Sequence, residues 1–548
     1  MAKGREKSDG RTVPEGYRKA APIVKPRGGK ATTASKSMRQ LELFHETADS
    51  PKGDDGRADT NRLVSAKTAA PKSRDSTRTL SPAMTMEEVA NAENLMRAFG
   101  RVASNKGAPG PDRKSIKEVK EHLGEILPKL QEELLTGSYQ PGMIRRVWIP
   151  KSGGGQRGLG IPNVIDRIVQ QAVYQIMYPH YAITFHASSH GFLVGKSCHT
   201  AIAEAKQYLE RGYGWVVDLD LEKFFDRVNH DRLLSRLEQR VKDGQLLQLI
   251  RKMLKAQVVM PDGVVVSTEE GTPQGGPLSP LLSNIVLDEL DKELSQRGRH
   301  FVRYADDCNI YVSSERAGKR VMASVKRFIE SRLRLKVNEN KSAVARPEER
   351  HFLGFRLRRD PENGEVEVLL SKRSKDRICE KTRKLIPRNW GKSLKDCTKR
   401  LNEYVTGWIG FFWICTAAEE RTFAYLDAHI RRRLRAMLLR HWKCKRFIVR
   451  RLIRLGVKSN TAWQSIYKEH RSWWALSHTP AVDRGLRNAY FAKRGLVSIL
   501  DKWRTKTTSH AKVPTQLQFA WGIAADGNID AELPGLSSWN VSVPKSRT

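Results

Sequence analysis

Phe301-Val-Arg-Tyr-Ala-Asp-Asp-Cys-Asn-Ile-Tyr-Val312 is the stretch that decides the fold. Two apolar, β-rich runs flank Ala305-Asp306-Asp307, which is the signature of a hairpin. Along a strand, neighbouring side chains face opposite ways, so two adjacent carboxylates converge only at a turn. A bare Asp-Asp pair would be an ordinary polar turn. A second acidic strand changes that reading: Trp215-Val-Val-Asp-Leu-Asp220 places Asp218 and Asp220 on one face at a spacing of two. Either of them could complete a three-carboxylate site with Asp306 and Asp307. Hard oxygen ligands of this kind suit Mg²⁺, which commonly also binds substrate phosphates. Two such ions can activate a 3′-hydroxyl and stabilise leaving pyrophosphate.

Outward from these strands, the chain alternates helices and short strands. Met86 to Val102 reads as an amphipathic helix with apolar Val89, Leu95, Met96 and Phe99, followed by a Gly/Pro loop from Asn105 to Asp112. Helices are expected over 115–137, 165–179, 199–211, 231–240 and 319–333. Strands are expected over 145–150 and 159–162, around a glycine turn carrying Lys151 and Arg157. Gly153, Gly155 and Gly158 match G-x-G-x-x-G only formally, because no helix opens after Gly158. A short strand pair runs from Phe352-Leu-Gly-Phe355 through Val368-Leu-Leu370.

The 548 residues carry 98 Lys and Arg against 60 Asp and Glu, a net charge of +38, with 39% apolar residues. That length predicts several domains with real cores. The charge disfavours an enzyme of small neutral metabolites and points to a polyanion, most simply nucleic acid. A membrane is excluded as a partner: no run of eighteen apolar residues exists and the N-terminus has no apolar signal core. Residues 372–458 hold 25 Lys and Arg against 7 Asp and Glu in a helical pattern, so nearly half the excess sits in one segment. The six cysteines form no C-x-x-C pair, which argues against a zinc finger or a disulfide framework.

Taken together, Tyr304-Ala-Asp-Asp307, Asp220-Leu-Glu-Lys-Phe-Phe-Asp226, Gly271-Thr-Pro-Gln-Gly-Gly-Pro-Leu-Ser-Pro280, Arg157-Gly-Leu-Gly-Ile-Pro162, Leu335-Lys-Val-Asn-Glu-Asn-Lys341 and Phe352–Phe355 resemble the reverse transcriptases encoded by bacterial group II introns, the class C group most closely. The resemblance extends over about residues 86 to 500. It implies an α+β right-hand polymerase: an N-terminal tail over 1–82, basic and mostly disordered, N-terminal extension and fingers over 83–214, palm over 215–371, a helical thumb or X (maturase) domain over 372–442, a basic DNA-binding region over 443–504, and a tail over 505–548. It implies an RNA-directed DNA polymerase that also binds its intron RNA as a splicing maturase and copies RNA into cDNA for mobility. The alternatives are a maturase with an impaired polymerase, or a reverse transcriptase recruited to host defence or DNA repair.

The same resemblance assigns residues. Asp220, Asp306 and Asp307 would be the catalytic carboxylates and, with the Leu221 carbonyl, the ligands of two Mg²⁺ ions, Mn²⁺ being the alternative. Asp218 would support the strand. Phe225 would exclude a 2′-hydroxyl. Lys151, Arg157, Gln274 and Lys341 would contact the dNTP, Lys341 as proton donor to pyrophosphate. Phe352, Leu353, Gly354 and Phe355 would form the primer grip. Arg431, Arg432, Arg433, Arg435, Lys443, Lys445 and Arg446 would hold nucleic acid, with RNA template, DNA primer, intron RNA and target DNA as partners. Arg431, Arg432, Arg435 and Arg440 are expected to be exposed, with Leu434, Met437 and Leu438 facing a core. The tryptophans Trp408, Trp413, Trp463, Trp473 and Trp474 are read as core rather than base-stacking. Two departures stand out. Leu193 and Val194 occupy positions where the family has Arg and Pro, leaving Lys196 as the remaining cation, and Arg113 stands where the family has Gly. The tail after Arg504 has no cysteine, so no endonuclease module is expected. The expected location is the bacterial cytoplasm, in a nucleoid- or ribonucleoprotein-associated form.

Overall fold

The computed structural model describes residues 83–150, 155–387, 391, 393–468 and 472–511. The expected N-terminal and C-terminal tails and Lys151 lie outside them, apart from 505–511, which continues a helix.

Among the described residues, ten short strands punctuate a mostly helical chain: β1 (Ile144–Pro150), β2 (Gln156–Ile161), β3 (Trp215–Leu219), β4 (Val258–Val259), β5 (Val265–Val266), β6 (His300–Tyr304), β7 (Asp307–Val312), β8 (Ala343–Ala345), β9 (Phe355–Arg359) and β10 (Val366–Leu370). They form a four-stranded sheet in the order β2-β1-β4-β5, a second in the order β6-β7-β3-β8, and the β9–β10 pair. Every pairing is antiparallel except β1 with β4.

The β6-β7-β3-β8 sheet is a wall between two cores. Val217, Leu219, Phe301, Ile310 and Val312 face one core, together with helices Val164–Ala182 and Ser279–Gln296. Val216, Val302 and Tyr311 face the other, against Ile202, Phe355 and Leu370. The period-2 alternation is therefore read as apolar on both faces. The second core continues past residue 371 through Leu401, Ile409, Phe423, Leu434 and Met437 to Ile448, Leu452 and Ile466. The basic helices thus share one core with the β9–β10 pair.

One expected helix is two. Met86–Ala90 and Ala92–Ser104 are separated by Asn91, whose side chain accepts from the amides of Glu93 and Asn94 and caps the second helix. Met96, expected on the apolar face, is 50% exposed. Glu315–Phe328 is α-helical and its continuation, Ile329–Leu333, widens into a π turn.

Candidate active site

The carboxylate hairpin is a two-residue turn. Tyr304 pairs with Asp307 across β6 and β7, leaving Ala305 and Asp306 at the tip. Ala305 has φ +56°, a left-handed conformation that favours glycine at the first turn position. Arg303 and Gly191 hold it there from beneath. Arg303 donates from Nη1 to the Ala305 carbonyl at 2.9 Å. Its guanidinium also binds Asp291 (Nε–Oδ1 2.7 Å, Nη2–Oδ2 2.5 Å), Asn284 Oδ1 at 3.0 Å and Ser189 Oγ at 2.7 Å. Arg303 and Asp291 are both fully buried. Gly191 lies directly against the tip: a Cβ there would stand 2.2 Å from the Ala305 nitrogen. The Gly191 carbonyl accepts from Asn284 Nδ2 at 2.8 Å.

The register of β3 with β7 brings the second acidic strand alongside. Asp218 is opposite Asn309, and the last pair is Leu219 with Cys308. One step further, Asp220 is level with Asp307. The Asp220 amide donates to Ser342 Oγ at 3.0 Å and its carbonyl accepts from the Asn338 amide at 2.8 Å. Leu221 bridges to Val337, so the chain on either side of Asp220 is fixed. Lys341 Nζ lies 3.2 Å from the Asp220 carboxylate. Asp218 is instead clamped by Arg350 (2.8 and 2.6 Å to Oδ2), which also reaches the Lys341 carbonyl at 2.5 Å. Asp218 therefore braces the loop that carries Lys341.

Like charge and burial act on the two carboxylates of the hairpin. Burial, with the Asp220 charge, raises the Asp306 pKa against the opposing pull of Arg157 and Lys341. Asp307 is pushed up to about 7 by its desolvated setting and then by the charges of Asp306, Asp218 and Asp220. Its side chain keeps an exposed surface, so the like charges are the firmer of these causes. Among the described residues no three His, Cys, Asp or Glu side chains are grouped so as to hold a metal ion as they stand. The arrangement fits a divalent cation nonetheless: mutually repelling carboxylates at an open edge, one of them held by a lysine, are relieved by positive charge.

The side expected to meet the nucleotide is built on glycines. The Gln274 carbonyl accepts from the Gly160 amide at 2.7 Å, and Arg157 Nε donates to Gln274 Oε1 at 2.8 Å. Gly275 has φ +125° and packs so closely that a Cβ would stand 2.4 Å from the Gly160 carbonyl. Phe225 is buried edge-on against Phe224, and its carbonyl accepts from the Thr272 amide at 2.6 Å. The structure thus gathers Asp220, Asp306, Asp307, Arg157, Gln274 and Lys341, with Phe225 tied to the same glycine loop. Phe352 and Phe355 exchange backbone hydrogen bonds around Leu353 and Gly354, both at positive φ. Ser374 Oγ fastens the Gly354 carbonyl at 2.7 Å, docking this turn on helix Lys372–Leu385.

The departures from the family pattern have structural counterparts. Val194 is 80% exposed, and Lys196 Nζ donates to the Ala187 carbonyl at 2.7 Å, so the remaining cation is spent on the main chain. Arg113 adopts φ +60°, the conformation for which glycine is favoured.

The basic helix Glu420–Trp442 corrects part of the nucleic-acid assignment. Arg433 is buried and donates to the carbonyls of Arg383 and Ile386, at the end of helix Lys372–Leu385. Arg435, expected to be exposed, is bonded to the Leu486 carbonyl at 2.9 Å and paired with Asp483. These two guanidinium groups satisfy carbonyls and a carboxylate inside the protein rather than phosphates. Arg432 lies over the Trp474 ring at 4.3 Å and Arg431 is half-buried. Lys443 and Arg446 are exposed, and half-buried Lys445 lies over Tyr467. Among the tryptophans, Trp408 is in the core as expected, whereas Trp463 is not.

Arg303, Gly191 and Asp291 were missed from sequence. The signal was there for Arg303: a lone cation inside an apolar strand, at a position whose neighbours demand burial.

Residues 149–357 match the family model described as reverse transcriptase (RNA-dependent DNA polymerase), which spans the whole carboxylate hairpin and β3. Residues 375–455 match the maturase-specific domain of group II introns. The chain is 34% identical over 323 residues to protein YkfC of Escherichia coli, covering 51% of this chain and 84% of that protein. It belongs to the group II intron reverse transcriptase and maturase family. To the group II intron-encoded protein LtrA of Lactococcus lactis subsp. cremoris it is 37% identical over 212 residues, 38% of this chain and 34% of LtrA. To nuclear intron maturase 4, mitochondrial, of Arabidopsis thaliana it is 31% identical over 135 residues, 25% of this chain and 17% of that protein. The chain thus spans about a third or less of the length of these two intron proteins. In this chain the reverse transcriptase domain is followed by the maturase-specific sequence.

Proposed function

We propose that this reverse transcriptase and maturase extends a DNA primer on its intron RNA by a two-metal mechanism, and that its right hand comprises fingers over 83–214, palm over 215–371 and thumb over 372–442. The single observation that carries the reading is the approach of Asp220, Asp306 and Asp307 on one sheet edge, with Arg157 and Lys341 beside them. Asp220 and Asp306 would hold the divalent cations with Asp307 at the side, and the bound ions supply activation of the primer 3′-hydroxyl and charge for the pyrophosphate. Arg157 and Lys341 draw the triphosphate toward that edge, and Lys341 Nζ protonates the leaving pyrophosphate. Phe225 lies under the incoming sugar and excludes a 2′-hydroxyl. The Phe352–Phe355 turn sets the primer terminus.

The test is primer extension on a generic RNA template with Mg²⁺. Wild type incorporates dNTPs, and Asp306→Ala abolishes synthesis while RNA affinity persists. Synthesis by Asp306→Ala would refute the metal assignment. The altered segment at Leu193 and Val194, with Lys196 bound to Ala187, favours a second reading: an RNA-binding maturase with an impaired polymerase. A wild-type protein that binds intron RNA and extends no primer would select it.

A further inference from the structure

Helices Lys445–Arg454 and Ser459–Tyr467 bury Ile448, Val449, Leu452, Ala462 and Ile466 between them and the second core. That leaves three aromatic rings outside, Phe447, Trp463 and Tyr467. Trp463 and Tyr467 lie one helical turn apart, with ring centroids at 5.0 Å and planes at 32°. Each is 42% exposed. Lys445 Nζ lies 5.3 Å from the Tyr467 centroid, and Arg451 lies 4.9 Å from that of Phe447, itself 40% exposed. Between Lys443 and Lys468 the sequence has eight Lys and Arg and no Asp or Glu. Large exposed rings are unfavourable in water unless something covers them. An apolar protein surface would leave these cations unanswered. A polyanion with flat apolar faces answers both features at once.

Duplex nucleic acid does not meet that description, because its bases are already stacked and its outside is phosphate and sugar. A single strand does, since unpaired bases stack on aromatic rings while neighbouring cations hold the phosphates. We infer that the Trp463–Tyr467 step is a stacking platform for unpaired bases of a single strand, with Lys445 and Arg451 holding the backbone beside it. The inference deepens the nucleic-acid reading above and rests on it. It also reverses the sequence expectation that Trp463 is a core residue.

The test uses the full chain with its polymerase cleft filled by excess unlabelled primer–template hybrid. Fluorescence anisotropy is read with labelled oligo(dT), oligo(U), an abasic strand of equal length and a blunt duplex. Trp463→Ala/Tyr467→Ala should lose at least about 5-fold in affinity for the base-bearing strands, the lower bound for one stacked base. Its salt slope and its affinity for the abasic strand and duplex should not change. Trp463→Phe/Tyr467→Phe should recover most of the loss, and all three proteins should melt alike. Tighter binding of oligo(dT) or of oligo(U) supports the platform and names its natural strand. Equal losses on abasic and base-bearing strands, or no loss, overturn it. So does a wild type that binds no single strand but self-associates through this face, as read by sedimentation. Primer extension run on the same proteins separates the readings: unaltered base binding with normal extension sinks only the platform, and base-specific binding without extension sinks only the polymerase.

Discussion

Replacing Arg303 with methionine removes a fully buried cation beneath the carboxylate hairpin. The structure sets the scale of the loss. Asp291, with no exposed surface, would keep its charge and lose both guanidinium bonds. Breaking a buried pair from one side costs about 3–5 kcal/mol. For a cooperative unit of about 150–250 residues each kcal/mol moves the melting midpoint about 2–4 °C, so the fall should be roughly 6–20 °C. The Ala305 carbonyl also loses its donor, so the tip is free to relax from φ +56°. The double variant Arg303→Met/Asp291→Leu separates these effects. Replacing a buried ion pair with apolar groups is close to neutral, so the midpoint should return toward wild type. The tip stays unheld, so primer extension should remain depressed. Calorimetric melts and steady-state extension rates on the three proteins read both quantities. A single variant that melts within about 2 °C of wild type would refute the buried-charge argument. A double variant with full extension would show that the tip does not need the arginine.

Gly191→Ala should lower single-turnover extension about a hundredfold with the fold retained by circular dichroism, because its Cβ would stand 2.2 Å from the Ala305 nitrogen and push that main chain away. Wild-type extension rates in this variant would mean that the tip tolerates the shift. Asp307 has a folded pKa raised to about 7, so the stability it contributes is complete below its unfolded value and lost as pH rises through about 7. Mg²⁺ alone should therefore raise the melting midpoint more at about pH 8 than at about pH 5.5, where Asp307 at the side of the cations is protonated; an equal rise at both pH values contradicts this coupling. Arg433→Met should lower the melting midpoint and leave RNA affinity and its salt slope unchanged, whereas Arg446→Ala should do the reverse, with the salt slope reduced by about 1.

The strands and the carboxylate hairpin were legible because their signals are local. Alternation marks β3, β6 and β7, and a two-residue polar interruption marks the tip. Asp218 and Asp220 could be placed on one face, but not told apart by the residues themselves. What separates them is Arg350, which lies far along the chain and clamps only Asp218. The cations of helix Glu420–Trp442 failed for the same reason. Helical periodicity identifies an inward face by its apolar residues, yet Arg433 also points inward because carbonyls at the end of helix Lys372–Leu385 accept from it there. That partner is set by tertiary packing, so no pattern within the helix reveals it. Asn91 is the opposite case: a capping residue at a readable position, outvoted in the sequence reading by the apolar residues around it.

The arrangement at the hairpin accounts for why its support had to be so heavy. The like charges of Asp220, Asp306 and Asp307, which help to raise the pKa values of Asp306 and Asp307, drive the tip apart when no cation is present. Ala305, at a backbone angle suited to glycine, relaxes in the same direction. A flexible loop would relieve both strains and would lose the spacing on which the proposed metal binding depends. Here the antiparallel register fixes Asp220 level with Asp307, Gly191 blocks one route of retreat, and Arg303 holds the tip by its own carbonyl. The cation that performs this task can do so only because Asp291 keeps it charged in a fully buried position. Repulsion at the sheet edge is thus balanced by attraction one layer below. Substitutions in that lower layer should therefore reduce synthesis without touching any group that meets the substrate.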